Sequence, residues 1–172
     1  MAAQYQESQV PPQDGKTVFI TGANTGIGFD TARVLAEKGA RVLLGCRDGP
    51  RAKAAMAAIR QRAPKANLKW IELDLTSLAS VQSASEQVLA EGHLDLLINN
   101  AGVMVPPKTL TQDGFELQFG VNHLGHFALT GQLLPLLKQQ PGARVVTVSS
   151  LAHRGGKIDF DDINAEDSYS RW

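Results

Sequence analysis

The segment Thr21-Gly22-Ala23-Asn24-Thr25-Gly26-Ile27-Gly28 follows the apolar run Val18-Phe19-Ile20 with no spacer, and an amphipathic stretch begins where it ends. A buried strand, a turn with glycines at 22, 26 and 28, and then a helix form the unit with which an α/β sheet grips a dinucleotide. Two physical requirements call for glycine. Without a Cβ the backbone turns tightly, and a pyrophosphate reaches the main-chain N–H groups at the helix N-terminus. The spacing Gly-x-x-x-Gly-x-Gly departs from the commoner Gly-x-Gly-x-x-Gly, and glycine-rich turns after strands also serve packing. The turn therefore takes its meaning from what surrounds it.

Short apolar runs and helical patterns alternate on both sides of that turn. The pattern predicts strands over 17–20, 41–44, 68–73, 94–98 and 144–148. The first helix starts in the glycine turn and stops at Gly39. The second begins after Asp48, with Pro50 in its first turn, and ends before Pro64. A third starts near Thr76-Ser77, carries Leu78, Val81, Val88 and Leu89 on one face, and ends at Gly92. A longer helical region covers about 112–138, where Pro135 kinks or tightens the last turn. Leu129, Leu133, Leu134, Leu136 and Leu137 give that helix an apolar surface that is mostly core. Such alternation implies right-handed βαβ crossovers and a parallel sheet covered on both faces. The expected fold is α/β, a doubly wound parallel sheet with about its first five strands present. Residues 1–14 read as a flexible leader and 15–172 as one dinucleotide-binding domain, incomplete at its C-terminal side.

Composition narrows the partners. The 172 residues carry 17 basic and 17 acidic side chains, so no electrostatic footprint points to nucleic acid or an anionic membrane. No apolar run reaches the roughly 18 residues of a membrane span, and no secretory h-region occurs. A single cysteine, Cys46, excludes an intrachain disulfide framework and fits a reducing, cytoplasmic compartment. His123 and His126 lie in a helical region without a cysteine or carboxylate cluster, so no metal site is expected.

Four further segments stand where a doubly wound sheet presents its ligand, at the C-terminal ends of strands. The second strand runs into Gly45-Cys46-Arg47-Asp48, about twenty residues after Gly28, where an NAD-binding domain places an acidic residue on the ribose. Cys46 cannot act so, and the guanidinium of Arg47 suits the 2′-phosphate of NADP. Arg47 could instead be a surface residue paired with Asp48, and Asp48 turned onto the ribose would favour NAD. The third strand leads to Asp74-Leu75: the carboxylate either accepts from an adenine amino group or caps the next helix, and Leu75 offers its backbone. The fourth ends in Asn99-Asn100-Ala101-Gly102. Asparagines leaving a buried strand need partners, and Ala101-Gly102 leaves room for a flat ligand against the backbone. Asn122 is a polar residue in the apolar helical run 119–127, and the fifth strand ends in Ser149-Ser150.

The combination of Thr21–Gly28, Asn99–Gly102, Asn122 and Ser149-Ser150, in this order, resembles the short-chain dehydrogenase/reductase family, and 100–104, 121–127 and 149–153 are similar to its retinol-dehydrogenase-like branch. The likeness covers about 15–170. It implies hydride transfer between a nicotinamide and a small-molecule carbonyl or alcohol of apolar character, with NADP preferred to NAD. It places the cofactor on Gly22, Asn24, Thr25, Gly26, Ile27, Gly28, Arg47, Asp74, Leu75, Asn100, Ala101 and Gly102. It implies catalytic roles for Asn122, which would hold a water in a proton relay, and for Ser150, which would orient the substrate oxygen. The helix after the fourth strand often packs against a second subunit in this family, which leaves room for a homodimer. One element is missing: the family's Tyr-x-x-x-Lys, in which the lysine draws down the tyrosine pKa. Tyr169 is the only tyrosine after Ser150, its partner position lies past Trp172, and Trp172 stands where the family has a small residue. Tyr169 is therefore expected to be a loop residue and the chain an N-terminal fragment, inactive as it stands. The competing expectation is a noncatalytic nucleotide-binding protein that senses or interacts.

Overall fold

A computed structural model describes residues 5–170. Five parallel strands, β1 (Thr17–Thr21), β2 (Arg41–Cys46), β3 (Leu68–Glu72), β4 (Leu96–Asn99) and β5 (Arg144–Thr147), form one sheet in the order β3-β2-β1-β4-β5. All five expected strands are present, each within two residues of its expected bounds. Register is set by the alternation of side chains: Val18, Ile20, Val42 and Leu44 enter the core on one face, Phe19, Leu43 and Leu97 that on the other. Chain order reverses between β1 and β4, which opens a crevice at the C-terminal ends of those strands.

Helices α1 (Gly26–Glu37) and α2 (Gly49–Arg62) cover one face, and α3 (Leu78–Leu89) and α5 (Gly125–Leu137) the other. In α1 the small residues Gly28, Ala32 and Ala36 recur every fourth position, so the helix lies close on the sheet. Asp48 starts α2 by accepting from the Arg51 amide at 2.9 Å, with Pro50 in the first turn and Arg60 and Arg62 in the last. Ser77, not Asp74, caps α3. That helix buries Val81, Ala84, Ser85 and Val88, whereas Leu78 and Leu89, expected on the same face, are exposed. Leu129, Leu133, Leu136 and Leu137 fill the core between α5, α3 and the sheet, each worth about 1.5–3 kcal/mol of burial, and Leu134 is nearly half exposed.

One expectation needs revision. The region expected as one long helix over 112–138 begins only with the short α4 (Leu117–Phe119), passes through a π-helical turn (Gly120–Leu124) and continues as α5. The Glu116 carboxylate, accepting from the Gln118 and Phe119 amides, starts it. The helical geometry departs from α at the π turn, while Pro135 lies inside α5, after which the bonds from Gln139 and Gln140 shorten to i→i−3. In the segment expected to be a flexible leader, the Glu7 carboxylate accepts from Arg33 at 2.7 Å, and the Gln13 amide donates to Lys38. Arg33, with its side chain only 8% exposed, also meets Glu37 and Asp30.

Candidate active site: a cofactor cleft at the strand ends

The crevice is an open cleft of about 500 Å³. Of the residues expected to hold a cofactor, Gly22, Asn24, Thr25, Ile27, Gly28, Arg47, Asp74, Leu75, Asn100, Ala101 and Gly102 line it; Gly26 is exposed in the same turn but does not. Gly22 has φ +67° and packs on Ala101, and a Cβ on Gly28 would stand 2.3 Å from the Gly22 carbonyl oxygen. Only glycine at 28 lets the turn fold this tightly under α1. Thr25 sits at the cap position of α1 without a capping side-chain bond, which leaves first-turn amides for an anion.

At the end of β2 the two charges separate cleanly. Asp48 caps α2 and lies 3.5 Å from Arg51, so it does not pair with Arg47. Arg47 is exposed on the cleft wall and has no ion-pair or hydrogen-bond partner among the described residues. Arg51, which the sequence reading passed over, lines the same wall, and its position one helical turn after Arg47 is the signal that could have found it. Cys46 also lines the cleft; burial, with Asp48 nearby, pushes its thiol up to about 11, so it is an unreactive thiol at neutral pH.

Asp74 forms a local turn: its Oδ1 accepts from the amide and hydroxyl of Thr76, and its own amide donates to Ser80 Oγ. Asn99 and Asn100 stabilise the end of the sheet as the sequence suggests. Asn99 Nδ2 donates to Thr130 Oγ1 at 3.0 Å, and Asn100 Nδ2 to the Thr21 carbonyl at 2.9 Å. The Asn100 and Ala101 amides both donate to Thr21 Oγ1 at 2.9 Å, and that hydroxyl is 2.8 Å from His126 Nε2. The link between Thr21 and His126 joins residues 105 apart in the chain, and nothing in the sequence announces it.

Asn122 and Ser150 lie beyond the cleft lining. The Asn122 side-chain amide engages one residue at both ends: Oδ1 accepts from Val103 N at 2.8 Å and Nδ2 donates to Val103 O at 2.9 Å. Two residues on, Val105 has φ 56°, a strained conformation for a β-branched residue, held by Gln118 Oε1 accepting from its amide. Asn122 and Gln118 thus fix the strand-like segment that leaves Gly102. Ser150 is exposed and accepts from Ala152 N, at the head of a 3-10 turn over Leu151–Gly155. Tyr169 is a loop residue, its hydroxyl donating to the Pro106 carbonyl at 2.7 Å. Among the described residues no helix is long and apolar enough to cross a membrane.

A family model for short chain dehydrogenase matches residues 16–160. Retinol dehydrogenase 14 of Mus musculus is 51% identical over 168 residues, covering 91% of this chain and 50% of its own. Retinol dehydrogenase 12 of Homo sapiens is 52% identical over 158 residues, covering 91% and 50%. The chain thus spans about half the length of the curated relatives it matches. A crystal structure of an uncharacterized protein from Mycobacterium Paratuberculosis superimposes with TM-score 0.87 at 45% identity, covering 98% of this chain and 59% of that one. RhlG of Pseudomonas aeruginosa, in an NADP complex, gives TM-score 0.68 at 31% identity (82% and 57% covered). A short-chain dehydrogenase from Burkholderia phymatum, in complex with NAD, gives 0.69 at 29% (81% and 50%). The fold, the glycine cradle and these likenesses agree: the chain belongs to the short-chain dehydrogenase family, on its retinol-dehydrogenase-like branch.

Proposed function

We propose that these residues hold NADP, in preference to NAD, for an oxidoreductase that acts on the carbonyl or alcohol of an apolar small molecule such as a retinoid or another aldehyde or ketone. The observation that carries the cofactor preference is the contrast at the end of β2. Asp48, the carboxylate that could take ribose hydroxyls, is committed to the α2 cap and to Arg51, while Arg47 keeps an unpaired guanidinium on the cleft wall. The residues fit such a cofactor, because Gly28 lets the turn fold tightly onto Asn100 beneath the open cleft and no side chain caps α1. When bound, the nicotinamide supplies the hydride. Gly22–Gly28 and the first turn of α1 would seat the pyrophosphate, Asp74 and Leu75 the adenine, and Asn100–Gly102 the flat face of the nicotinamide half.

Ser150 accepts from Ala152 N and retains its O–H for the substrate oxygen, which it would orient. Asn122 acts by holding Val103, and so the wall beside Gly102. No Tyr-x-x-x-Lys occurs in these residues and Tyr169 is engaged with Pro106, so we assign them cofactor holding and substrate orientation, with no proton transfer and no turnover by themselves. The test is Arg47→Ala. Loss of charge-assisted bonds of about 1.5–3 kcal/mol weakens NADPH binding roughly 10- to 100-fold, and NADH binding changes little. Equal losses for both cofactors would refute the 2′-phosphate assignment.

A further inference from the structure

Thr21 Oγ1 is fully buried and has three partners: the amides of Asn100 and Ala101, each at 2.9 Å, and His126 Nε2 at 2.8 Å. A hydroxyl has two lone pairs and one proton. Both amides can only donate, so they take both lone pairs, and the hydroxyl proton has one place to go, His126 Nε2. That nitrogen is therefore an acceptor. A neutral imidazole with an acceptor Nε2 carries its proton on Nδ1, and Nδ1 lies 3.2 Å from the Asn122 carbonyl oxygen, which accepts it. The chain of bonds runs without a gap from the turn after β4, through the end of β1, to the π turn that carries Asn122.

We propose that His126, neutral and protonated at Nδ1, is a positioning residue that locks the Asn100–Gly102 wall and the Asn122 carbonyl to the glycine turn at the end of β1. The proposal rests on the cofactor reading above, because that wall is where the nicotinamide half would lie. A protonated ring has donors at both nitrogens, and one would then face a hydroxyl whose lone pairs are already taken. The bond breaks, and the Asn100 and Ala101 amides, still held by Thr21, lose their link to the turn that carries Asn122. The surroundings favour the neutral ring: His126 is 4% exposed, β1 and β4 present it with the uncharged Thr21 and Asn99, and no carboxylate acts on it from the packed elements. Burial lowers its pKa, the bond to Asn122 opposes this, and nearby His123 lowers it further. The requirement for a neutral imidazole is therefore satisfied above the ordinary value of 6.5 and fails as pH falls through the lowered one.

The test uses the whole chain, with His126→Gln, which keeps an acceptor for the Thr21 hydroxyl, and His126→Phe, which keeps the ring but no acceptor. Long-range proton–nitrogen correlation of the imidazoles, with His126 assigned by its loss in His126→Gln, should show the Nδ1–H form, still neutral at pH about 6.5. Calorimetric titration with NADP should give His126→Gln an affinity within about twofold of wild type at pH about 8. His126→Phe should be weakened roughly 5- to 20-fold, the consequence of a buried O–H without an acceptor. As pH falls through the lowered imidazole pKa, wild type should lose affinity relative to His126→Gln. An Nε2–H ring, or one already half protonated at pH about 6.5, overturns the proposal whether or not His126→Phe folds. Parallel pH profiles for wild type and His126→Gln overturn it as well. Failure of wild type to bind NADP at any pH defeats the cofactor reading instead, and the imidazole spectrum still decides the role of His126.

Discussion

Gly26 and Gly28 stand two residues apart in one turn and resist substitution for different reasons, which makes the pair a quantitative test of the cradle. At Gly26, with φ +56°, nothing lies within 4 Å of where a Cβ would stand. Alanine there meets only the left-handed backbone, about 1–2 kcal/mol, partly offset by about 0.4–1 kcal/mol from a stiffer unfolded chain. The net is roughly 1 kcal/mol. At Gly28 the backbone is helical, but a Cβ would stand 2.3 Å from the Gly22 carbonyl oxygen and 2.4 Å from Asn100 Nδ2. Neither obstacle is a flexible tip: one is main chain, and the other is tied to the Thr21 carbonyl at 2.9 Å. Relieving the overlap lifts α1 from the turn, at the upper end of the roughly 1–3 kcal/mol of overpacking, against at most about 1 kcal/mol of helix propensity regained. We expect Gly28→Ala to lower stability by about 2 kcal/mol in urea unfolding, and Tm by roughly 4–8 °C, about twice the effect of Gly26→Ala. Removing the Asn100 side chain relieves one of the two overlaps. Gly28→Ala and Asn100→Ala should therefore couple by at least about 0.5 kcal/mol, while Gly26→Ala and Asn100→Ala should add. A harmless Gly28→Ala, or strict additivity with Asn100→Ala, would show that the turn does not pack against Asn100 in this way.

Two further outcomes bear on parts of the molecule outside the cradle. Tyr169→Phe removes one neutral, half-buried bond to Pro106, worth about 1 kcal/mol or less, and should speed limited proteolysis within 151–170 while leaving NADPH affinity unchanged. A marked drop in affinity would mean that the hydroxyl serves the cofactor. Glu91 receives Lys69 and Arg41 at the opposite end of the sheet; burial alone would raise its pKa, but those bonds outweigh it and hold the carboxyl below the usual 4.5. A lowered native pKa stabilises the fold above 4.5, and the gain is lost as pH falls through the native value. The urea midpoint of wild type should therefore fall more steeply than that of Glu91→Gln below pH about 4.5; superimposable profiles would exclude the network as an acid-sensitive element.

The sheet and its order of elements were legible in the sequence because β1 and β2 are almost wholly buried runs, and because Gly39, Pro64 and Gly92 punctuate the helices where local chemistry demands. Most of the cleft lining could be read for the same reason: a phosphate cradle is made by consecutive residues. What escaped depends on elements meeting in space. Leu78 and Leu89 turned outward and Glu7 seated on Arg33 follow from how α1 and α3 settle on the sheet. The π turn at Gly120–Leu124 has no period of its own in the sequence. Thr21 and His126 each look ordinary alone, and their chemistry exists only once β1 and α5 are side by side.

The exposure of β5 divides the candidate site into two mechanical halves. All four residues of Arg144–Thr147 are exposed and pair on one side only, with β4. Local opening there disrupts few contacts, whereas opening of β1 disrupts the middle of the sheet. The glycine cradle follows the fully buried central strand β1, whose amides should exchange slowly, and Ser150 follows the exposed β5, whose amides should exchange faster. A cofactor in the cleft would thus meet a rigid floor, while Ser150 follows a strand that is open on its outer side.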